Sequence, residues 1–287
     1  MIEIAGEGLT ALINPFGAEL SHLRDAAGNE LMTDADPAYW TGRAPLLFPI
    51  VGALNGGVYR HEGKQYALPQ HGFARRRSFA LLDQAPNRAR FRLTDDEATR
   101  AVYPFAFALD ADFAIEGATL TIAITVANRG DTEMPASFGF HPAFAWPLPY
   151  GAPREAHAIT FDADEPDALR RVEGGTILPE TFPSPLDGRT LHLADDLFTH
   201  DALIWDHLRS RSVTYGAAQG PRLEIAFPDT RLLGIWTKPG ARFVCIEPWH
   251  GLADPQGFTS ELRDKPWIEH FAPGESRTYT MMVTLRG

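Results

Sequence analysis

Alternation with a period of two constrains this chain more than any other feature. In TLTIAITVANRG, residues 119–130, Leu120, Ile122, Ile124 and Val126 fall on one side, with Thr121, Ala123, Thr125 and Ala127 on the other. Successive side chains of a strand point to opposite faces, so the pattern predicts a sheet with one buried face. RTYTMMVTL, residues 277–285, repeats it with Tyr279, Met281, Val283 and Leu285. FALDADF, RLEIAF and LLGIWT are further short strands bounded by turn residues. The 23 prolines and 25 glycines are spread as punctuation rather than gathered into a linker. Helix signals are confined to DDEATRAVYP, worth a turn or two, and DPAYW. Many short strands separated by turns predict an all-β fold, a large antiparallel β-sandwich or barrel with few short helices. Residues 146–200, with WPLPYGAP and LPETFPSPLDG, read as long surface loops within one domain spanning 1–287.

A chain of 287 residues with 22% charged residues is ordinary globular material that buries a sizeable core without staples. A net charge of −11 argues against nucleic acid as a partner, since binding it needs a basic footprint. The run Arg75-Arg76-Arg77 is too short to make a patch. Cys245 is the only cysteine, which excludes an intrachain disulfide. Its place in an apolar strand suggests a small buried hydrophobe. The N-terminus lacks a signal-peptide pattern and no segment approaches a membrane span, so a cytoplasmic protein without membrane partners is expected.

Three polar residues interrupt apolar segments. In RFVCIEPWHG, residues 242–251, Glu247 closes an apolar strand and Pro248 is expected to end it. A carboxylate there costs free energy unless partnered. In SFGFHPAFAW, residues 137–146, Ser137, Gly139 and His141 share a face, and Pro142 again follows the polar residue. Two small residues before a histidine suggest open space for a cleft; a core histidine bonded to a carbonyl fits equally well. In LPQHGFARRR, His71 precedes Gly72, with Phe73 and Arg75 on alternate positions, and a solvated turn competes with a functional role. Two histidines and a glutamate invite a metal site, but no HExxH or HxH spacing supports one. Glycoside cleavage needs a second acid; Asp201, Asp206, Asp229 and Asp254 are available. No nucleophile elbow marks a serine triad.

With these segments in view, the chain resembles the aldose 1-epimerase (galactose mutarotase) family. The matching pieces are GAELSHLRDAAGNELM, YWTGRAPLLFPIVGAL, LPQHGFAR, SFGFHPAF, DALIW and CIEPWHG, in the family's order between residues 17 and 251. LFPIVG, HGFAR and CIEPW are most similar to the divergent branch that includes bacterial proteins of lactose and galactose operons. The resemblance implies a β-sandwich and a cofactor-independent, metal-free isomerase that interconverts the α and β anomers of a hexose. It implies Glu247 as the base on the anomeric hydroxyl and His141 as the acid on the ring oxygen. His71 and Asp201 would bind the sugar, with Arg43, Arg75 and Trp249 as further candidates. Trp249 stays open between stacking on the sugar and serving as a rim aromatic. A nearby cation is expected to keep Glu247 ionised.

One departure stands out. Where better-known mutarotases carry a substrate-binding arginine before the HG segment, this chain has Gly52-Ala53. Hexose-6-phosphate 1-epimerases, similar in the HGFAR segment, therefore remain an alternative, with Arg43, Arg75 and Arg76 as phosphate candidates. A carbohydrate-binding module without catalysis is another. The expected partner is a small sugar, and the expected assembly a monomer or homodimer.

Overall fold

A computed structural model describes residues 1–287. Two antiparallel sheets dominate. The larger has nine strands, with Thr119–Asn128 and Ser276–Arg286 side by side near its middle and Ala80–Ala85 and Thr190–His192 at its edges. The smaller has six: Leu46–Leu47, Phe138–Phe140, Ala143–Ala145, Leu203–Trp205, Leu232–Trp236 and Phe243–His250. A three-stranded N-terminal sheet, Ile2–Ala5, Leu9–Asn14 and Glu19–Asp25, accompanies them. The α-helix is Glu97–Val102, started by a capping box between Asp96 and Thr99. No helix is long and apolar enough to cross a membrane.

The alternating segments fold as their pattern requires. Leu120, Ile122, Ile124 and Val126 are buried, as are Tyr279, Met281 and Val283. These faces meet the smaller sheet across the sandwich. Phe138 stacks on Tyr279 at 5.5 Å between ring centroids, and Tyr215 donates its hydroxyl to the Ala145 carbonyl at 2.6 Å. The smaller sheet is buried on both faces. Val244 and Ile246 enter the main core, whereas Ile204, Leu232 and Trp249 pack beneath loops with Val51, Ile177, Leu252 and Ala253. Strand Phe243–His250 is accordingly buried at every position. That explains why residues 243–246 run continuously apolar rather than alternating.

Two expectations are corrected here. Residues 146–200 are not only surface loops. His157–Phe161 and Thr190–His192 form one end of the nine-stranded sheet, and Val172–Glu173 with Thr176–Ile177 form a hairpin. The prolines bracket these strands closely and hide their short alternation. Pro248 does not end its strand either: it pairs with Leu233, and the strand runs on to His250.

A buried ion pair braces the loops over the smaller sheet. Lys265 Nζ lies 3.2 Å from Asp254 Oδ1, and both side chains are almost wholly inaccessible. Asp254 Oδ2 accepts from the Asn55 backbone N–H at 2.9 Å. The backbone of Asp254 bonds to Ala53 through its N–H and to Ile177 through its carbonyl.

Candidate active site

The core of the site is a cross-strand pair. Gly139 pairs with Trp249 and Ala143 with Cys245, so the same register sets His141 directly opposite Glu247. Directly opposed residues project to the same face with neighbouring Cβ atoms. His141 Nε2 accordingly stands 3.1 Å from Glu247 Oε2. On the other side of Glu247, the cross-strand residue is Gly234.

Gly139, expected with Ser137 to open a cleft before His141, does not do so. Trp249 fills its space and also that over Gly234, across from Glu247. Its indole lies across the sheet, Cδ1 at 2.6 Å from where a Gly139 Cβ would stand and Cη2 at 2.5 Å from that of Gly234. Glycine at both positions lets the ring lie flat on the backbone. Trp249 is thus 6% exposed and serves as cleft floor beside Glu247.

His71 reaches the same place from a turn. Its backbone is left-handed at φ +65°, followed by Gly72 at +68°. A Cβ on Gly72 would meet the Phe48 carbonyl oxygen at 2.2 Å, so the close approach requires glycine. His71 N–H donates to the Gly52 carbonyl at 2.8 Å, and Gly52 N–H donates to His71 Nδ1 at 3.0 Å. With Nδ1 accepting, the neutral ring carries its proton on Nε2. The rings of His71 and His141 meet edge to face at 5.6 Å.

These side chains line a cavity of about 340 Å³, within the range of small-molecule sites. Asp201 enters it from a left-handed turn before strand Leu203–Trp205, at φ +64°. Arg75 enters from the 3-10 turn Ala74–Arg76, with Nη2 donating to the Gln70 carbonyl at 2.7 Å. Arg43 does not belong to the lining; its Nη1 donates to the Thr33 carbonyl at 2.6 Å. Of the four candidate second acids, Asp201 alone lines the cavity. Asp206 is held by Arg170 at 2.9 Å and Asp254 by Lys265. The tip of the Val172–Ile177 hairpin covers Ala53, with a Gly175 Cβ position 3.0 Å from the Ala53 methyl.

Sequence reasoning missed Trp40, Trp236 and Gln70, which also line the cavity. Trp40 lies 4.9 Å and Trp236 5.9 Å from the His141 ring, centroid to centroid. Trp236 had a signal: it ends an apolar strand, as Glu247 was thought to do. Cys245 is a wholly buried, apolar-packed residue as expected, and its thiol also lies near the Glu247–His141 pair.

The electrostatics follow from burial. Burial pushes the Glu247 carboxyl well above its usual range, the Asp201 charge adds to the rise, and the Trp249 indole opposes it. Burial pulls His141 down to about 3; its own backbone opposes the shift and the Arg75 charge adds to it. His71 is lowered well below its ordinary value by burial, then by His141 and Arg75. Both members of the pair are thus driven toward their uncharged forms. The expected cation beside Glu247 is an imidazole that burial drives toward its neutral form rather than a fixed charge.

A β-sandwich whose smaller sheet sets a paired histidine and glutamate against a cavity fits the galactose mutarotase class of fold. The family model for aldose 1-epimerase matches residues 1–258. The chromosomal LacX protein of Lactococcus lactis subsp. lactis is 30% identical over 295 residues, covering 99% of both chains. A galactose mutarotase related enzyme from Lactobacillus acidophilus superposes with a TM-score of 0.94 at 30% identity, covering 100% of this chain and 97% of that one. A galactose mutarotase-like protein from Lactobacillus casei does so with 0.92 at 26% identity over the whole of both chains. This chain belongs to the aldose 1-epimerase family.

Proposed function

We propose that this protein is an aldose 1-epimerase that interconverts the α and β anomers of a free hexose, with Glu247 and His141 moving the protons. The observation that carries the reading is the register-fixed pair, 3.1 Å apart in a cavity of suitable size. Opening a cyclic hemiacetal removes a proton from the anomeric hydroxyl and adds one to the ring oxygen. A base and an acid at opposite ends of one C–O bond do this, each contributing roughly 10²–10⁴-fold.

In the ionised pair, the Glu247 carboxylate takes the hydroxyl proton while the His141 imidazolium protonates the ring oxygen. The C–O bond breaks and the open-chain aldehyde forms. The pair is left as carboxyl and neutral imidazole, the form that burial favours. Rotation about the C1–C2 bond turns the other carbonyl face to the ring hydroxyl, and the same protons return. Neither state of the pair carries net charge, so the cycle moves no net charge into the buried site. No cofactor is needed, because each proton goes back to its source.

His71 Nε2–H is suited to donate to the sugar, and Asp201 to accept from its hydroxyls. Trp249, Trp40 and Trp236 supply aromatic walls for the ring's C–H faces. The free sugar is favoured over its 6-phosphate because Arg75 is the single guanidinium in the lining and Asp201 would repel a phosphate. A single buried thiol agrees with a reducing, cytoplasmic setting.

Exchange NMR at neutral pH with chelator present tests the reading on galactose, glucose and glucose 6-phosphate. Faster anomer exchange of a free sugar is expected. Acceleration of the phosphosugar alone would move the assignment to the phosphate branch. Calorimetric sugar binding with no acceleration would make the protein a binding module. Arg75→Met is expected to raise KM for the free sugar about 10- to 100-fold, the worth of one charged hydrogen bond, with kcat less affected. Steady-state kinetics by coupled assay checks this, and an unchanged KM would remove Arg75 from the binding set.

A further inference from the structure

We propose that the pocket behind the Glu247–His141 pair, where Cys245 is buried, is also a binding site for a thiophilic divalent cation of the zinc type, held by Cys245, His141 and Glu247, and that occupancy stops catalysis. One donor atom from each of these three residues lies within 4.8 Å of the other two. Tetrahedral zinc with bonds of about 2.0–2.3 Å sets its donors roughly 3.3–3.6 Å apart, so small side-chain rotations close the set. The imidazole and carboxylate already stand 3.1 Å apart.

The sheet explains why these three converge. Cys245 is two residues before Glu247 on one strand and therefore shares its face. His141 comes from the opposite strand in register. A second observation points to a ligand: Glu247 Oε2, though 3.1 Å from His141 Nε2, is buried without a hydrogen bond, and Glu247 is 1% exposed. Orphaned buried polar atoms are costly, and a cation would satisfy the carboxylate. His71 is excluded from the set because its Nδ1 already accepts from Gly52 and its Nε2 carries the proton. Glu247 and His141 line the cavity, which supplies access and leaves a fourth position open to it.

Coordination releases the thiol proton to solvent and makes a three-ligand site of Cys, His and Glu with one open position. Two of these ligands are the acid and base of the proposed reaction, whose lone pairs the metal would occupy. The inhibitory half of the inference rests on that reading; the binding half does not.

The test uses the full-length protein after treatment with chelator. Equilibrium dialysis against zinc chloride is expected to show one tight equivalent. Addition of cobalt(II) is expected to give a thiolate-to-cobalt charge-transfer band in the near ultraviolet, weakened by excess galactose. Cys245→Ala should lose the band and bind zinc at least about 10-fold more weakly, as even disturbing a ligand's outer partner does. Cys245→Ser serves as a second variant should alanine perturb folding. Either variant should exchange anomers at near the parent rate and withstand zinc concentrations that stop the parent. Absence of the cobalt band, equal zinc affinity in both variants, or acceleration by zinc would overturn the proposal. If no sugar is turned over, dialysis and the cobalt band still decide the site, separately from the epimerase reading.

Discussion

Glu247→Gln is expected to lower anomer exchange by about 10²–10⁴-fold or more while leaving the protein at least as thermally stable as the parent. The two effects have opposite causes at one atom. Glutamine keeps the shape of the side chain but cannot take a proton, so hemiacetal opening loses its base. Burial already drives the Glu247 carboxyl toward its neutral form, and a neutral amide suffers less from the same surroundings. A residue that served only structure would show the reverse, with activity retained and stability lost. His141→Gln should fall to a similar rate, and the double variant should be little worse than either single one, because the pair works as a unit. Exchange NMR and calorimetric melting of the four proteins check this. Near-parent exchange in Glu247→Gln would remove the residue from the chemistry.

Lys265→Met is expected to give the largest loss of stability among conservative single changes. The substitution keeps most of the side-chain volume and deletes the charge. Asp254 is then left as a buried carboxylate with no cation, though the Asn55 backbone N–H still donates to it. Breaking one partner of a buried pair costs about 3–5 kcal/mol. At about 2–4 °C per kcal/mol for a chain of this class, the melting temperature should fall by roughly 6–20 °C. Asp254→Asn combined with Lys265→Met should recover much of the loss, since a double replacement leaves no unpaired charge. The single variant should also weaken sugar binding, because Asp254 holds the segment after Gly52 and the end of the Val172–Ile177 hairpin. Gly52 in turn fixes the His71 tautomer. A melting temperature unchanged in Lys265→Met would show that the pair contributes nothing to stability.

Parts of the site were legible because they rest on local chemistry. A carboxylate and a histidine, each set in an apolar segment and each followed by proline, marked Glu247 and His141 before any fold was known. The order of short motifs gave the family. Of the two prolines, Pro142 does interrupt its strand, between Phe138–Phe140 and Ala143–Ala145, while Pro248 sits inside a strand that runs on to His250. Gly139 was read as open space, whereas an indole from the next strand covers it. Arg43 and Arg75 looked equivalent in sequence. The difference between them is direction: one guanidinium turns back to the Thr33 carbonyl and the other faces the cleft.

The chain by itself determined the alternating strands, their turns and the all-β class, because a period of two is a property of the backbone and is written in neighbouring residues. Tertiary structure decided what those strands bring together. His141 and Glu247 are about a hundred positions apart, and their contact exists only because one register pairs Gly139 with Trp249 and Ala143 with Cys245. A one-residue slip would turn one of them away from the cleft. The register is set by burial of Phe138, Phe140, Val244 and Ile246 in the main core, a long-range packing choice that no single segment encodes. The same choice places the lone thiol beside the acid–base pair, and Trp40 and Trp236 around it.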